Sequence, residues 1–164
     1  MTVLILSDTH GHADRVESLL DRPSIRPDAI LFAGDGVRDL SYLSLPCSLY
    51  AVCGNNDSPT LAQSELTVDL DGIRLFLTHG HRFGVKSGTE RLLMHAVARG
   101  ADAVIYGHTH RPHEEYVPAG TRVGDTVLEK GLWLFNPGSL GDREASFGTL
   151  EIRGGQLLFG HGRL

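Results

Sequence analysis

The side chains best suited to chemistry in this sequence fall into five short polar clusters: Asp8-Thr9-His10, Gly34-Asp35, Gly54-Asn55-Asn56-Asp57, Thr78-His79-Gly80-His81 and Gly107-His108-Thr109-His110. Carboxylate, imidazole and carboxamide groups are donors for hard and borderline divalent cations. No single cluster holds enough of them to complete a coordination sphere. Gathered together they would serve two ions, and a pair of ions can both activate water and stabilise charge on a phosphoryl group. The chemistry expected is hydrolysis at a two-metal site.

Taken singly, the clusters differ in weight. Asp8 and His10 can converge on one ion in a turn, although Asp8 could equally cap a helix. Gly34-Asp35 and Gly54-Asn55-Asn56-Asp57 are ordinary turn compositions as well as candidate ligands. A neutral Asn carbonyl can ligate a cation without adding charge, which suits a site already rich in carboxylates. The most specific cluster is Gly107-His108-Thr109-His110, with two imidazoles at i and i+2 directly after an apolar strand.

Such clusters need rigid elements to aim them, and each follows an apolar run. Val3-Leu4-Ile5-Leu6, Ala29 to Ala33 and Leu49 to Cys53 are short runs of the kind found in strands covered on both faces. Val16, Leu19 and Leu20 recur at helical spacing, and Pro23 and Pro27 end that helix, giving a β-α-β start. A short helix is expected around Asp39 to Leu43. Thr67 to Leu70 and Ile73 to Thr78 flank Asp71-Gly72, a two-residue hairpin turn. Ser87-Gly88-Thr89-Glu90 has capping-box spacing ahead of Leu92, Leu93, Ala96 and Val97, and Gly100 is placed to end the helix. Ala103 to Tyr106 deliver the last cluster. Trp133 to Phe135, Gly148 to Ile152 and Leu157 to Phe159 read as antiparallel strands.

This pattern predicts an α/β fold of two β-sheets packed face to face with helices on the outer surfaces, and all five clusters at the strand C-terminal edge. The length of 164 residues suits one domain spanning 1–164. A net charge of -5 gives no general attraction to polyanions, so bulk nucleic-acid binding is not expected. Cys47 and Cys53 would be roughly 20 Å apart in one extended segment, too far for a bridge, and read as small core residues of a reducing compartment. With no secretory leader or membrane-span pattern, a cytoplasmic protein is expected.

In their order along the chain the five clusters resemble the calcineurin-like metallophosphoesterase superfamily, whose pattern is D-x-H, GD, GN[HD], H and GHxH. The match covers nearly the whole chain. The small phosphodiesterases of the YfcE type are most similar, through their length and an NPGS segment matching Asn136-Pro137-Gly138-Ser139. The retromer subunit Vps29 shares their fold, a four-layer αββα sandwich. Position by position, the resemblance implies that Asp8, His10 and His110 hold one metal and Asn55, His79 and His108 the other, with Asp35 bridging. It implies two divalent ions, with Mn²⁺ the working metal and Fe, Ni, Co or Zn as alternatives. The implied reaction is in-line attack of a metal-bridging hydroxide on a small phosphodiester substrate. A phosphomonoesterase with the same core, or a Vps29-like scaffold, are the alternatives.

One departure stands out. Many superfamily members carry His after the motif Asn, where this chain has Asn56, and a carboxamide cannot supply a proton to the leaving group. Esters with good leaving groups should be favoured. Asp57 is expected as a partner for a ligand His, or else as a turn cap. Asn56, His12 and His81 flank ligand positions and are candidate substrate contacts. Gly138 and Ser139 could touch phosphate or orient a ligand, and Arg82, Arg111 and Arg143 could serve as phosphate-side cations or simply face solvent. His95, on a helix, reads as a surface or half-buried residue, and His113 and His161 belong to no constellation. The pattern leaves a monomer and a homo-oligomer equally open.

Overall fold

The computed structural model describes residues 1–164, all of the chain. In order the elements are β1 (Thr2–Leu6), α1 (Ala13–Leu20), β2 (Ala29–Phe32), α2 (Val37–Leu40), β3 (Ser48–Ala51), β4 (Glu65–Leu70), β5 (Ile73–Thr78), a 3₁₀ turn (His81–Phe83) and α3 (Glu90–Ala98). There follow β6 (Ala103–Ile105), β7 (His113–Val117), β8 (Arg122–Val123), β9 (Thr126–Val127), β10 (Leu132–Asn136), β11 (Ser146–Arg153) and β12 (Gln156–Arg163).

Two five-stranded mixed sheets form, ordered β12-β11-β1-β2-β3 and β4-β5-β6-β10-β7. Between them lies a core that includes Val3, Ile5 and Leu31 from one sheet and Leu75, Leu77, Ile105 and Phe135 from the other. The outer face of the first sheet is covered by Val16, Leu19, Val37 and Leu40 of α1 and α2. The outer face of the second is covered by Leu92, Leu93 and Ala96 of α3. The layer order is therefore helix, sheet, sheet, helix, as the patterning requires, because buried strands with both faces apolar must be covered twice.

The Asp71-Gly72 hairpin forms with both residues at positive φ (50° and 80°), as a type I′ turn demands. Gly100, at φ 65°, follows α3. Two local expectations differ. Helix α3 begins from Thr89 with no side-chain cap, so the Ser87–Glu90 capping box is not made. Strand β10 runs parallel to β6 and antiparallel to β7, where an all-antiparallel last third was expected. Strands β11 and β12 return to the first sheet, β11 pairing with β1. Non-local pairing of this kind leaves no mark in local periodicity.

Cys47 and Cys53 are free thiols, half-buried and buried respectively. No helix is long and apolar enough to cross a membrane.

Candidate metal centre

All five clusters meet at one end of the sandwich. Strands β1, β2 and β3 run parallel, as do β5, β6 and β10, so the C-terminal ends of each set fall together. The exit loops interlock through their backbones. Asp8 N–H donates to Gly34 O (2.9 Å), His10 N–H to Asp35 O (3.3 Å) and Gly107 N–H to His79 O (3.2 Å). Glycine is required at two crossings. A Cβ at Gly54 would fall on the Asp35 carboxylate, 2.6 Å from Asp35 N, and one at Gly107 would fall on Ser7 Oγ.

Backbone strain is concentrated here. Six non-glycine residues have positive φ, and five of them are Asp8, His10, Asp35, His108 and His110. Such a conformation costs of order 1–3 kcal/mol per residue and persists where the surroundings over-determine it.

The side chains converge as two groups of three, Asp8 with His10 and His110, and Asp8 with Asp35 and His79, each with donor atoms within 4.8 Å of one another. His110 Nε2 lies 3.1 Å from Asp8 Oδ1 and 3.2 Å from His10 Nε2. His79 Nε2 lies 3.9 Å from the same Asp8 oxygen and 3.4 Å from Asp35 Oδ2. The His108 ring packs 5.0 Å from that of His79, and the His81 ring 5.4 Å. Asp8 is thus common to both groups, and Asp35 belongs to the second. The Asp35 oxygens accept from Asn56, through its backbone N–H (2.8 Å) and Nδ2 (2.6 Å), and Oδ2 lies toward the His79 side.

Two imidazoles are fixed in the tautomer a ligand needs. His79 Nδ1–H donates to Ala33 O at 2.7 Å, and His110 Nδ1 is 3.0 Å from Asp142 Oδ1. Each Nε2 lone pair then faces the cluster. Asp8 Oδ1, His79 Nε2 and His81 Nδ1 are buried with no hydrogen-bond partner. Buried polar atoms without partners are costly and rare, and here the Asp8 and His79 atoms lie 3.9 Å apart. Orphaned carboxylate and imidazole atoms converging in this way fit divalent cations.

Electrostatics prepare the donors. Burial, then the His79 and Lys86 charges, push His108 down to about 4, and burial with His79 also lowers His81. Both rings are neutral donors at pH 7. Burial acts to raise Asp35, but the His79 imidazole beside it and the hydrogen bonds from Asn56 outweigh it and hold the carboxyl well below its usual range. Burial raises Asp8, the most enclosed acid of the group. His79 is raised despite its burial, because Asp35 and Asp8 face it.

Other expectations change in the three-dimensional setting. Asp57 partners no histidine. Its carboxylate accepts the backbone N–H groups of Asp35, Gly36, Val37 and Gly54 at 2.8–3.0 Å, clamping two ligand loops together. Asn56 is exposed and orients Asp35 through its backbone N–H and Nδ2. Asn55 is exposed, at the rim. His12 precedes α1; its Nδ1 is 3.8 Å from Asp14, and its link to the cluster is through the backbone, its N–H donating to Thr9 O at 3.0 Å. Ser139 Oγ donates to Asp8 O, and Gly138 N–H to Asn136 Oδ1, so the NPGS segment braces the loop that carries Asp8. Arg82 donates to Ser64, His95 faces Glu65, and His161 stacks on Phe135.

Two further residues matter that spacing alone did not single out. Asp142 orients His110, and Asp39 accepts from Thr9 Oγ1 (2.5 Å) and Gly11 N–H (2.8 Å), fixing the loop that carries His10. Asp142 lies 32 positions from its partner, and Asp39 has the pattern of an ordinary acid in the first turn of a helix.

Comparison with known proteins gives a consistent picture. Residues 1–155 match the profile of the calcineurin-like phosphoesterase superfamily domain. A probable metallophosphoesterase of Bacillus subtilis, YsnB, is 30% identical over 141 residues, spanning 85% of this chain and 75% of that protein. Phosphodiesterase YfcE of Escherichia coli is 36% identical over 87 residues, which is 50% of this chain and 36% of YfcE. Among solved structures, a Vps29 variant from Entamoeba histolytica superposes with a TM-score of 0.73 at 22% identity, covering 100% of this chain and 99% of that one.

Proposed function

Because the chain belongs to the calcineurin-like phosphoesterase superfamily, we propose that it is a two-metal hydrolase that cleaves a phosphodiester. The observation that carries this reading is the pair of donor groups sharing Asp8, with orphaned buried atoms turned inward. Asp8, His10 and His110 would hold one divalent ion. His79, His108 and Asn55 would hold the second, with Asp35 and Asp8 as the anionic centre between them. When bound, such ions supply an activated water and offset the charge that builds on phosphoryl oxygens. The mixed nitrogen and oxygen donors suit Mn²⁺, and also Fe, Ni, Co or Zn.

The chain's own residues do the positioning. Asp142 and the Ala33 carbonyl keep His110 and His79 in the required tautomers. Asp57 and Asn56 hold the Asp35 loop against the Gly54 loop. His81 offers a neutral imidazole at the wall of the site. No side chain of the Gly54–Asp57 turn can donate a proton to a leaving alcohol at neutral pH, because Asn56 is a carboxamide and Asp57 is fully engaged. Esters of acidic alcohols should therefore be cleaved fastest. The diester preference is supported by the likeness to YfcE, whereas the likeness to Vps29 is one of fold.

The reading is tested by supplying metal-stripped protein with bis(p-nitrophenyl) phosphate and p-nitrophenyl phosphate, with and without Mn²⁺. Mn²⁺-dependent release of p-nitrophenolate, faster from the diester, is expected. Faster monoester cleavage would make the protein a phosphomonoesterase. No turnover by folded protein with any divalent metal would turn the reading toward a scaffold.

A further inference from the structure

Beside the metal centre lies a separate cavity of about 610 Å³. Its wall includes Thr109, the residue between His108 and His110, so it opens directly alongside the proposed reaction site. Lys86, whose charge reaches His108, and Arg111 line it, together with Tyr106, His113 and Glu115. The volume falls within the range of small-molecule sites, which run from about 300 to 1,000 Å³. Only two of its ten lining residues are hydrophobic, which argues for a polar occupant over an acyl chain or an unsubstituted ring.

Charge narrows the choice further. The chain as a whole carries -5, yet two cations converge on this one cavity. Neither charged head has an ion-pair partner, as is true of ten of the fifteen Lys and Arg side chains, but these two are the ones that line the cavity. The single acid at the wall, Glu115, sits 3.6 Å from His113 Nε2. His113 in turn accepts the buried Tyr106 hydroxyl on Nδ1 at 2.8 Å, and the wall as a whole carries two cations against one carboxylate. Unpaired cations grouped in a polar cleft are the arrangement that binds a phosphate or carboxylate, Arg through its planar fork and Lys as a point charge.

We propose that this cavity is a substrate subsite in which Lys86 and Arg111 bind a second anionic group, a phosphate or carboxylate, carried by one alcohol half of the diester. The proposal rests on the phosphodiesterase reading above and adds to it a substrate class: diesters with a further negative charge beyond the scissile phosphate. It disfavours diesters whose alcohol halves are both uncharged or lipid-tailed as the preferred substrates.

The test compares p-nitrophenyl phenyl phosphate with p-nitrophenyl 4-carboxyphenyl phosphate, which release the same p-nitrophenolate and differ in one carboxylate. With Mn²⁺, the kcat/KM ratio should favour the carboxylated ester by about tenfold, the scale of one charge-assisted hydrogen bond. In Lys86→Gln/Arg111→Gln the ratio should fall to about one. A ratio near one in the unaltered protein, or a preference that survives the double substitution, would overturn the subsite. Calorimetry on metal-stripped protein separates this from failure of the hydrolase reading. Phenyl phosphate should bind the unaltered protein and lose about tenfold or more in affinity in the double variant, whether or not either ester is cleaved. Absent binding, or equal binding to both proteins, would count against the subsite.

Discussion

Asp142 and Asp57 are both carboxylates next to ligand residues, and their contacts give them different work. Asp142 touches the imidazole of His110 and holds the Nε2 lone pair toward Asp8. Removing such a partner usually costs about 10–100-fold in metal affinity. Asp142→Ala should accordingly weaken divalent-metal binding to stripped protein by that factor in a calorimetric titration, and Asp142→Asn, which keeps an acceptor, should recover part of it. An unchanged affinity in Asp142→Ala would remove the orienting role. Asp57, by contrast, serves four backbone amides. Asp57→Ala strands those donors, and because each unsatisfied buried group costs about 1–3 kcal/mol, urea unfolding should show a loss of at least ~3 kcal/mol. Lost turnover with unchanged unfolding would instead mark Asp57 as a direct participant. At this scale the candidate ligands were legible in the sequence, since Asp8, His10, His79, His108 and His110 stand in recognisable spacings. The partners were not, because a carboxylate's target is set by chain crossings such as that of the β10–β11 loop over His110.

The elements explain why five loops can share one site. Parallel pairing of β1 with β2 and of β5 with β6 brings strand ends to one edge, and the two sheets must then stay in fixed relation. Phe135 of β10 helps to hold that relation. It is fully buried between the sheets, stacks on Phe159 (4.6 Å) and His161 (4.4 Å) of β12, and lies where a Cβ on Gly148 of β11 would collide with it. Phe135→Ala should cost about 3–5 kcal/mol in denaturant unfolding. If stability is unchanged, the sheets are held elsewhere. Apolar runs and turn residues made most strands and the Asp71-Gly72 hairpin readable in advance. The return of β11 to pair with β1 was not readable, because Leu4 and Thr149 face each other only through a long-range crossover. The unmade Ser87–Glu90 capping box has the same lesson, since Thr89 is where the chain enters α3 and spacing alone does not fix that entry.

At the scale of the molecule, three apolar layers of contacts hold the sandwich without help from an ion. Stripping metal should therefore leave one cooperative, folded domain, unlike small metal-dependent folds that unfold on chelation. Metal added at about 100 times its dissociation constant should raise stability by about 2.7 kcal/mol. A net charge of -5 spread over this surface makes the cationic cleft at Lys86 and Arg111 a local exception, and so a means of sorting small anionic esters. The most direct measurement of the central claim is to titrate Mn²⁺ into stripped protein while following both ions bound per chain and diester turnover. Two ions should bind per chain, with turnover rising as the second is taken up and absent in Asp35→Asn. Full turnover without metal, or folded protein that binds no divalent ion, would contradict the account.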